Sequence, residues 1–408
     1  MSREMKHSGV PWIGEIPKGW NIDTIGNLYT LRTEKVSDKD YAPLSVTKMG
    51  IVPQLETAAK TDDGDNRKLV KVGDFAINSR SDRRGSCGIS AYDGSVSLIN
   101  LVLTPRGQMN PRFYNWLFHS ELFADEFYKW GHGIVDDLWT TRWQEMKRIT
   151  IVAPSLSEQQ KIANFLDKKC GEVDEMIALQ EQIIEELKAY KQSVITEAVT
   201  KGLNPNVPMK DSGIEWIGEI PEHWEISKVK RECAIMDYLR EPISAENRKN
   251  ELGLYDYYGA SGVIDKIDDY NVDDKVLLIG EDGANLIMRN LPLVYKAEGK
   301  FWVNNHAHIL KPFAKNNYLY FAYMLEAGDY THYITGSAQP KLSQDNIKNF
   351  IIPIPRDYTE QQAIADYLDE KCVEIDKLIS IKQQKIESLK EYKKSIIYEY
   401  VTGKKEVV

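Results

Sequence analysis

The chain has 408 residues, more than one ordinary domain of roughly 100–200 residues, so two to three domains are expected. Hydrophobic residues at 42% and charged residues at 28% exclude a disordered chain, and a net charge of -9 excludes a surface basic all over, though not a local basic cluster. Four cysteines, Cys87, Cys170, Cys233 and Cys372, none in a CxxC pair, exclude a disulfide framework or a cysteine zinc module and fit a reducing compartment.

The N-terminal MSREMKHSGV has no apolar signal region, and no apolar run approaches the roughly 20 residues that span a bilayer. A soluble, cytoplasmic chain is the expectation. HSGVPWIGEIPKGW (7–20) then opens a pattern that returns as DSGIEWIGEIPEHW (211–224). Residues 158–200 return as 360–402 with 24 of 43 positions identical at a constant offset of 202. A period near 200 residues is far longer than the roughly 20–50 of solenoid repeats, so a whole unit is duplicated.

The first private stretch, 21–140, reads as short strands such as KVGDFAINS and VSLINLVLT, separated by turn signals such as Asp93-Gly94, with one helix over 111–130. SRSDRRGS carries Arg80, Ser81, Arg83 and Arg84, and Thr140, Thr141 and Arg142 follow, with Lys48 upstream. Arginine in a small-residue loop makes bidentate contacts to guanine or phosphate; the bland reading is a solvated loop paired with Asp82.

Residues 158–200 form a long amphipathic helix introduced by a Ser157/Gln160 capping box. Ile162, Leu166, Val173, Ile177, Ile184 and Leu187 mark a seam with a step of about 3.5–3.6 residues. The second copy repeats it, with Thr359/Gln362 as the box and Ile364, Leu368, Ile375, Ile379, Ile386 and Leu389 as the seam. Each helix runs about 60 Å at 1.5 Å per residue and must pack along its length; its duplicate is the expected partner. Lys169, Gln180 and Lys191, like Lys371, Lys382 and Lys393, interrupt the seams at matching places. They either fix register or snorkel at the edge.

The second private stretch, 225–335, reads as DKVLLIG, LPLVYKA and FWVNNHAHIL strands with a helix over 316–328. Its polar, glycine-rich segments hold Tyr257, Tyr258, Ser261, Asn285, Arg289, Asn305, His306, Gln339 and Lys341. Their amide, hydroxyl and guanidinium groups suit base edges, or equally cap turns. Charge divides unevenly: 1–153 carry 20 basic and 19 acidic side chains, 203–359 carry 17 and 23.

Chemistry is sparse. No Walker A, GxGxxG, HExxH or GxSxG motif occurs, and the Asn-Pro-Pro-aromatic motif of amino-methyltransferases is missing. His306 and His308 share a strand face but lack the neighbours of a strong metal site. Asp282, Glu298 and Lys300 match the loose D…E-x-K pattern of metal-dependent nucleases. A nuclease, or a coiled-coil scaffold that reads no DNA, remains the alternative.

The twice-occurring SG-x-x-WIGEIP-x-x-W (Ser8–Trp20, Ser212–Trp224), the EQQ-x-IA-x-x-LD helices, and YYGASGVIDKIDDY with GKFWVNNHAHIL resemble the specificity subunits of type I restriction-modification systems. The resemblance implies an α+β tandem pseudo-twofold repeat: two mixed α/β target-recognition domains separated by two long antiparallel coiled-coil helices. The expected boundaries are 1–153 and 203–354 for the domains, 154–202 for the central helix and 355–408 for the distal one. The family reads a bipartite, asymmetric site on double-stranded DNA and scaffolds two methyltransferase subunits and motor-nuclease subunits. It holds no cofactor and no catalytic residue of its own; S-adenosylmethionine, ATP and magnesium are implied for the partners.

Overall fold

The computed structural model describes residues 3–407 apart from 57–63, 134–138, 245, 247, 249–252 and 337–338, and apart from the side chain of Ser81. The chain forms two compact units, 1–181 with 383–408, and 182–382. Among the described residues no helix is long and apolar enough to cross a membrane.

In the first unit, Met5–His7 pairs with Glu15–Pro17, and Asn21–Thr24 with Thr150–Ala153, so the chain enters and leaves the private domain on adjacent strands. Between them lie a four-stranded sheet (in order Cys87–Ile89, Phe75–Asn78, Asn100–Pro105, Tyr29–Leu31), a three-stranded sheet and the hairpin Leu44–Thr47/Gly50–Pro53, whose paired strands are all antiparallel. The expected single helix over 111–130 is two, Pro111–His119 and Glu121–Lys129. Ser120 sits between them in extended conformation; its hydroxyl donates to the Leu117 carbonyl and accepts from the Phe123 N–H, ending one helix and capping the next. Trp20, Phe75, Phe113, Phe118, Phe123 and Phe127 fill the core.

The second unit repeats the frame. Met209–Asp211 pairs with Glu219–Pro221, and Glu225–Lys228 with Ile351–Ile354. The private domain here is a six-stranded sheet, ordered Cys233–Ile235, Ala307–Pro312, Val272–Gly280, Val294–Val303, Tyr255–Gly259, Gly262–Ile267. Its pairs are antiparallel except Tyr255–Gly259 beside Val294–Val303. The helix Tyr318–Ala327 packs on it.

Two long helices, Leu156–Lys201 and Tyr358–Val401, contribute a half to each unit. At 46 and 44 residues they run about 69 and 66 Å. In the first unit Lys393 Nζ lies 2.6 Å from Asp174 and the Phe165 and Tyr400 rings are 4.3 Å apart. Rising numbers on one helix therefore meet falling numbers on the other, and the halves pair antiparallel. In the second unit Lys191 meets Asp376 at 2.7 Å in the same sense.

The expected seam divides in two. Ile162, Leu166 and their counterparts Ile364 and Leu368 belong to the domain cores, shared with Ile396 and Val401 in one unit and with Val194 and Ala198 in the other. Val173, Ile184, Ile375, Ile386 and Leu389 are buried outside those cores, while Ile177, Leu187 and Ile379 are half-buried. A single periodic stripe thus serves two packings, which periodicity cannot separate. Lys191 and Lys393 make cross-helix ion pairs, whereas Lys169 and Lys371 turn to Glu172 and Glu374 on their own helices.

The capping boxes also differ from expectation. Ser155, not Ser157, caps the first helix, its hydroxyl accepting from Glu158 N–H at 3.3 Å; Asp357 takes that place before Thr359 in the second. Gln160 and Gln362 are thereby released for another task.

Candidate nucleic-acid interface

That task explains the repeated Glu-Gln-Gln. Trp20 Nε1 donates to Glu158 at 3.0 Å, and Trp224 Nε1 to Glu360 at 2.9 Å. Gln159 accepts from the Asn110 N–H at 2.8 Å and donates to the Pro154 carbonyl; Gln361 accepts from the Asn317 N–H at 2.7 Å and donates to the Pro355 carbonyl. Gln160 and Gln362 accept from the Asn110 and Asn317 side-chain amides at 2.7 and 2.6 Å. Each asparagine simultaneously caps the first long helix of its private domain. The motif bolts a long helix to the entry tryptophan and to a domain helix, identically in both units. Asn110 and Asn317 stand 207 residues apart, not 202 or 204, so no constant-offset search finds them.

On these duplicated bolts sit two unlike sets of loops. In the first unit the 3-10 turn Ser81–Arg83, the end of Glu121–Lys129 and residues 139–142 converge. Arg80 bridges Thr140, the Tyr128 hydroxyl donates to the Arg80 carbonyl, and the Thr141 N–H donates to the Ser79 carbonyl. The structure therefore gathers Arg80, Arg83, Arg84, Thr140 and Arg142, together with the backbone of Ser81, whose side chain lies outside the described residues. Arg83 and Arg142 are exposed; Arg83 lies 3.5 Å from Asp82, and Arg84 forms an ion pair with Asp125. Two members sit differently from expectation. Thr141 is fully buried and its hydroxyl donates to the Phe127 carbonyl, so it is structural. Lys48 occupies the exposed tip of the hairpin Leu44–Thr47/Gly50–Pro53, which packs against Gly88 rather than joining the arginine turn.

In the second unit five segments meet at one end of the six-stranded sheet. Ala260 approaches Gly280 so closely that a Cβ on Gly280 would strike its carbonyl. The Glu281 N–H donates to the His306 carbonyl, the Leu342 N–H donates to the Glu281 carbonyl, and the Asn304 N–H donates to the Tyr258 carbonyl. Arg240 Nη1 lies 2.6 Å from Glu281 and donates at 3.4 Å to the Asn305 carbonyl. Tyr258, Ser261, Asn305, His306 and Lys341 are thus brought together, Ser261 and Asn305 exposed, with Gln339 exposed on the segment that leads into Lys341.

Beneath this cluster lies a buried polar knot that sequence reasoning missed. His308 is fully buried, its Nδ1 2.6 Å from Asp237 Oδ2 and its Nε2 2.8 Å from the Leu342 carbonyl. Burial pushes the Asp237 carboxyl up, but His308, the Ile309 N–H and Arg240 outweigh it and hold the carboxyl below its usual range. Asp237, 71 residues from His308, carries no motif that could have revealed the pairing.

Three further expectations meet a structural role instead. Tyr257 is buried, its hydroxyl bonded to the Ile243 backbone. Arg289 adopts φ 51° and its guanidinium donates to the carbonyls of Glu326, Ala327 and Gly328, closing the C-terminus of Tyr318–Ala327. Asn285 closes its own loop through the Leu291 backbone. The nuclease alternative also fails on geometry. Glu298 pairs with Lys275 at 2.9 Å, whereas Asp282 lies past the end of the strand Val272–Gly280 and bridges Lys341; the five residues from Lys275 to Gly280 alone advance about 17 Å at about 3.3 Å per residue.

Two unlike loop clusters on one duplicated frame define a class: a two-headed recognition scaffold. The chain is similar to type I restriction-modification specificity subunits. Residues 221–391 match the family model described as Type I restriction modification DNA specificity domain. Over 96% of its length it is 25% identical to a putative type I restriction enzyme MjaX specificity subunit of Methanocaldococcus jannaschii, covering 95% of that protein. The MjaVIII specificity subunit of the same organism is 24% identical over 95% of this chain and 93% of its own. Among solved structures, a chain from work on complex assembly and conformational transition of the type I R-M system shares the fold at TM-score 0.71 and 14% identity, over 95% of this chain and 98% of that one. The HsdS subunit from Thermoanaerobacter tengcongensis gives TM-score 0.51 at 16% identity with the same coverage.

Proposed function

We propose that this chain is the DNA specificity subunit of a cytoplasmic type I restriction-modification complex, each loop cluster reading one half of a bipartite, asymmetric site. The observation that carries this reading is the contrast between frame and loops: the bolts repeat residue for residue, and the loops they support do not. Equal frames suit two copies of one methyltransferase subunit; unlike loops suit two different half-sites. Chemistry is assigned to partners: S-adenosylmethionine to the methyltransferases, ATP and magnesium to motor-nuclease subunits.

For the first half-site the proposed contacts are Arg80, Ser81, Arg83, Arg84, Thr140 and Arg142, with Lys48 on its own hairpin. For the second they are Tyr258, Ser261, Asn305, His306, Gln339 and Lys341. Arg83→Ala should weaken recognition of the first half-site by about 1–3 kcal/mol if it reads a base. The test is co-expression with the adenine methyltransferase and a genome-wide methylation map. A two-part motif with an unread gap supports the reading; methylation independent of this chain ends it.

A further inference from the structure

The 3-10 turn Asp237–Leu239 presents a large side chain that neither the frame nor the core uses. Tyr238 is 79% exposed, while the Asp237 carboxylate on one side and the Leu239 carbonyl on the other are held fast. Asp237 accepts from the Ile309 N–H at 3.0 Å and lies against His308. The Leu239 carbonyl accepts from the Asn271 side-chain amide at 2.8 Å, and the Glu241 N–H donates to the Val303 carbonyl. Arg240 is clamped between Glu281 and the Asn305 carbonyl. The buried knot thus fixes the base of an aromatic side chain that projects into solvent.

Tyrosine has few rotamers to lose, and a rigid base lowers the ordering cost of contact further. The turn lies beside Asn305, through the Arg240 clamp, and so belongs to the second loop cluster. The nearby cations Arg240 and Lys341 are engaged by Asp237 and Glu281, and Glu241 in the same segment is exposed. A segment without spare positive charge does not draw phosphate, so a ring placed there gains by meeting base edges or thymine methyl groups in a groove.

We infer that Tyr238 is a specificity-determining residue for the second half-site, contacting bases and not the phosphate backbone. The inference rests on the reading of the chain as a DNA specificity subunit. The asymmetry is instructive: no counterpart of Tyr238 exists in the first unit at the shared offset of 204, where Glu34 stands.

The experiment compares the wild-type and Tyr238→Ala chains, each assembled with the methyltransferase subunits, by methylation mapping and by binding to a duplex carrying the mapped site across a salt series. Expected are a roughly tenfold loss of affinity for that duplex, an unchanged slope of log affinity against log salt, relaxed preference at one or more positions of the second half-site, and an unaltered first half-site. An unchanged motif with unchanged affinity overturns the inference. So does uniform weakening on mapped and unrelated duplexes with a shallower slope, which marks a phosphate contact. A wild-type assembly that directs no site at all overturns instead the reading on which the inference rests.

Discussion

Gln361 shows how much one side chain carries. It is buried, and it satisfies both the Asn317 N–H and the Pro355 carbonyl. Gln361→Leu keeps similar bulk but leaves a donor and an acceptor without partners, which should cost about 2–4 kcal/mol in urea unfolding. A loss below about 0.5 kcal/mol would mean that water replaces the glutamine. Glu232 offers a second test, through pH. It is buried against Ser227 at 2.6 Å, Arg356 at 2.8 Å and Lys315 at 2.9 Å. Burial raises its carboxyl, yet Lys315, Ser227, Arg356 and Asn316 outweigh that and bring it to about 2 from the usual 4.5. A depressed carboxyl adds stability that is fully present above about pH 4.5 and is lost as pH falls towards 2. The stability gap between wild type and Glu232→Gln should therefore be widest above pH 4.5 and close towards pH 2; a gap that does not vary with pH would contradict the assignment. Neither residue announces itself in the sequence. Gln361 lies in a visible motif whose partner, Asn317, is off the repeat's offset, and Glu232 is one acidic residue among many.

Elements were more legible than residues, because periodicity reports burial without naming the partner. The long helices follow from their apolar stripe and their duplication, and Gly202 and Gly403 end them in the left-handed region, φ 72° and 71°. Gly403 also abuts Pro17 and Trp20, where a Cβ would come within 2.6 and 2.9 Å. What the stripe cannot tell is that its ends feed the domain cores while its middle pairs helix to helix. The lysines in the seam can be settled by experiment. Lys191 with Asp376, and Lys393 with Asp174, are the same ion pair made once in each unit. Both aspartates are more than half exposed, so each pair should contribute only about 0.3–1 kcal/mol. Lys191→Asp and Asp376→Lys should each destabilise modestly, and the double swap should recover most of the loss. Additive losses in this double-mutant cycle would show that the lysines only cover apolar surface.

At the scale of the whole molecule, the repeat separates what must stay constant from what is free to vary. The private domains share little sequence and differ in sheet architecture: several small sheets in one, a six-stranded sheet in the other. Both nevertheless begin beside a buried tryptophan, present an asparagine to a glutamine pair, and leave on a strand paired with their entry strand. Exchange of residues 21–153 for another reader should therefore yield a folded chain provided that the graft supplies an asparagine N-cap where Asn110 now meets Gln159 and Gln160. Such a chimera should direct methylation to a motif with a new first half and the old second half. In the unexchanged chain, Asn110→Ala should lose stability by about 1–3 kcal/mol, since the helix N-cap loses its acceptor and the Gln160 carbonyl its donor. A change in both halves of the motif would mean that the loops read as one surface, and the duplicated bolts would then serve folding alone.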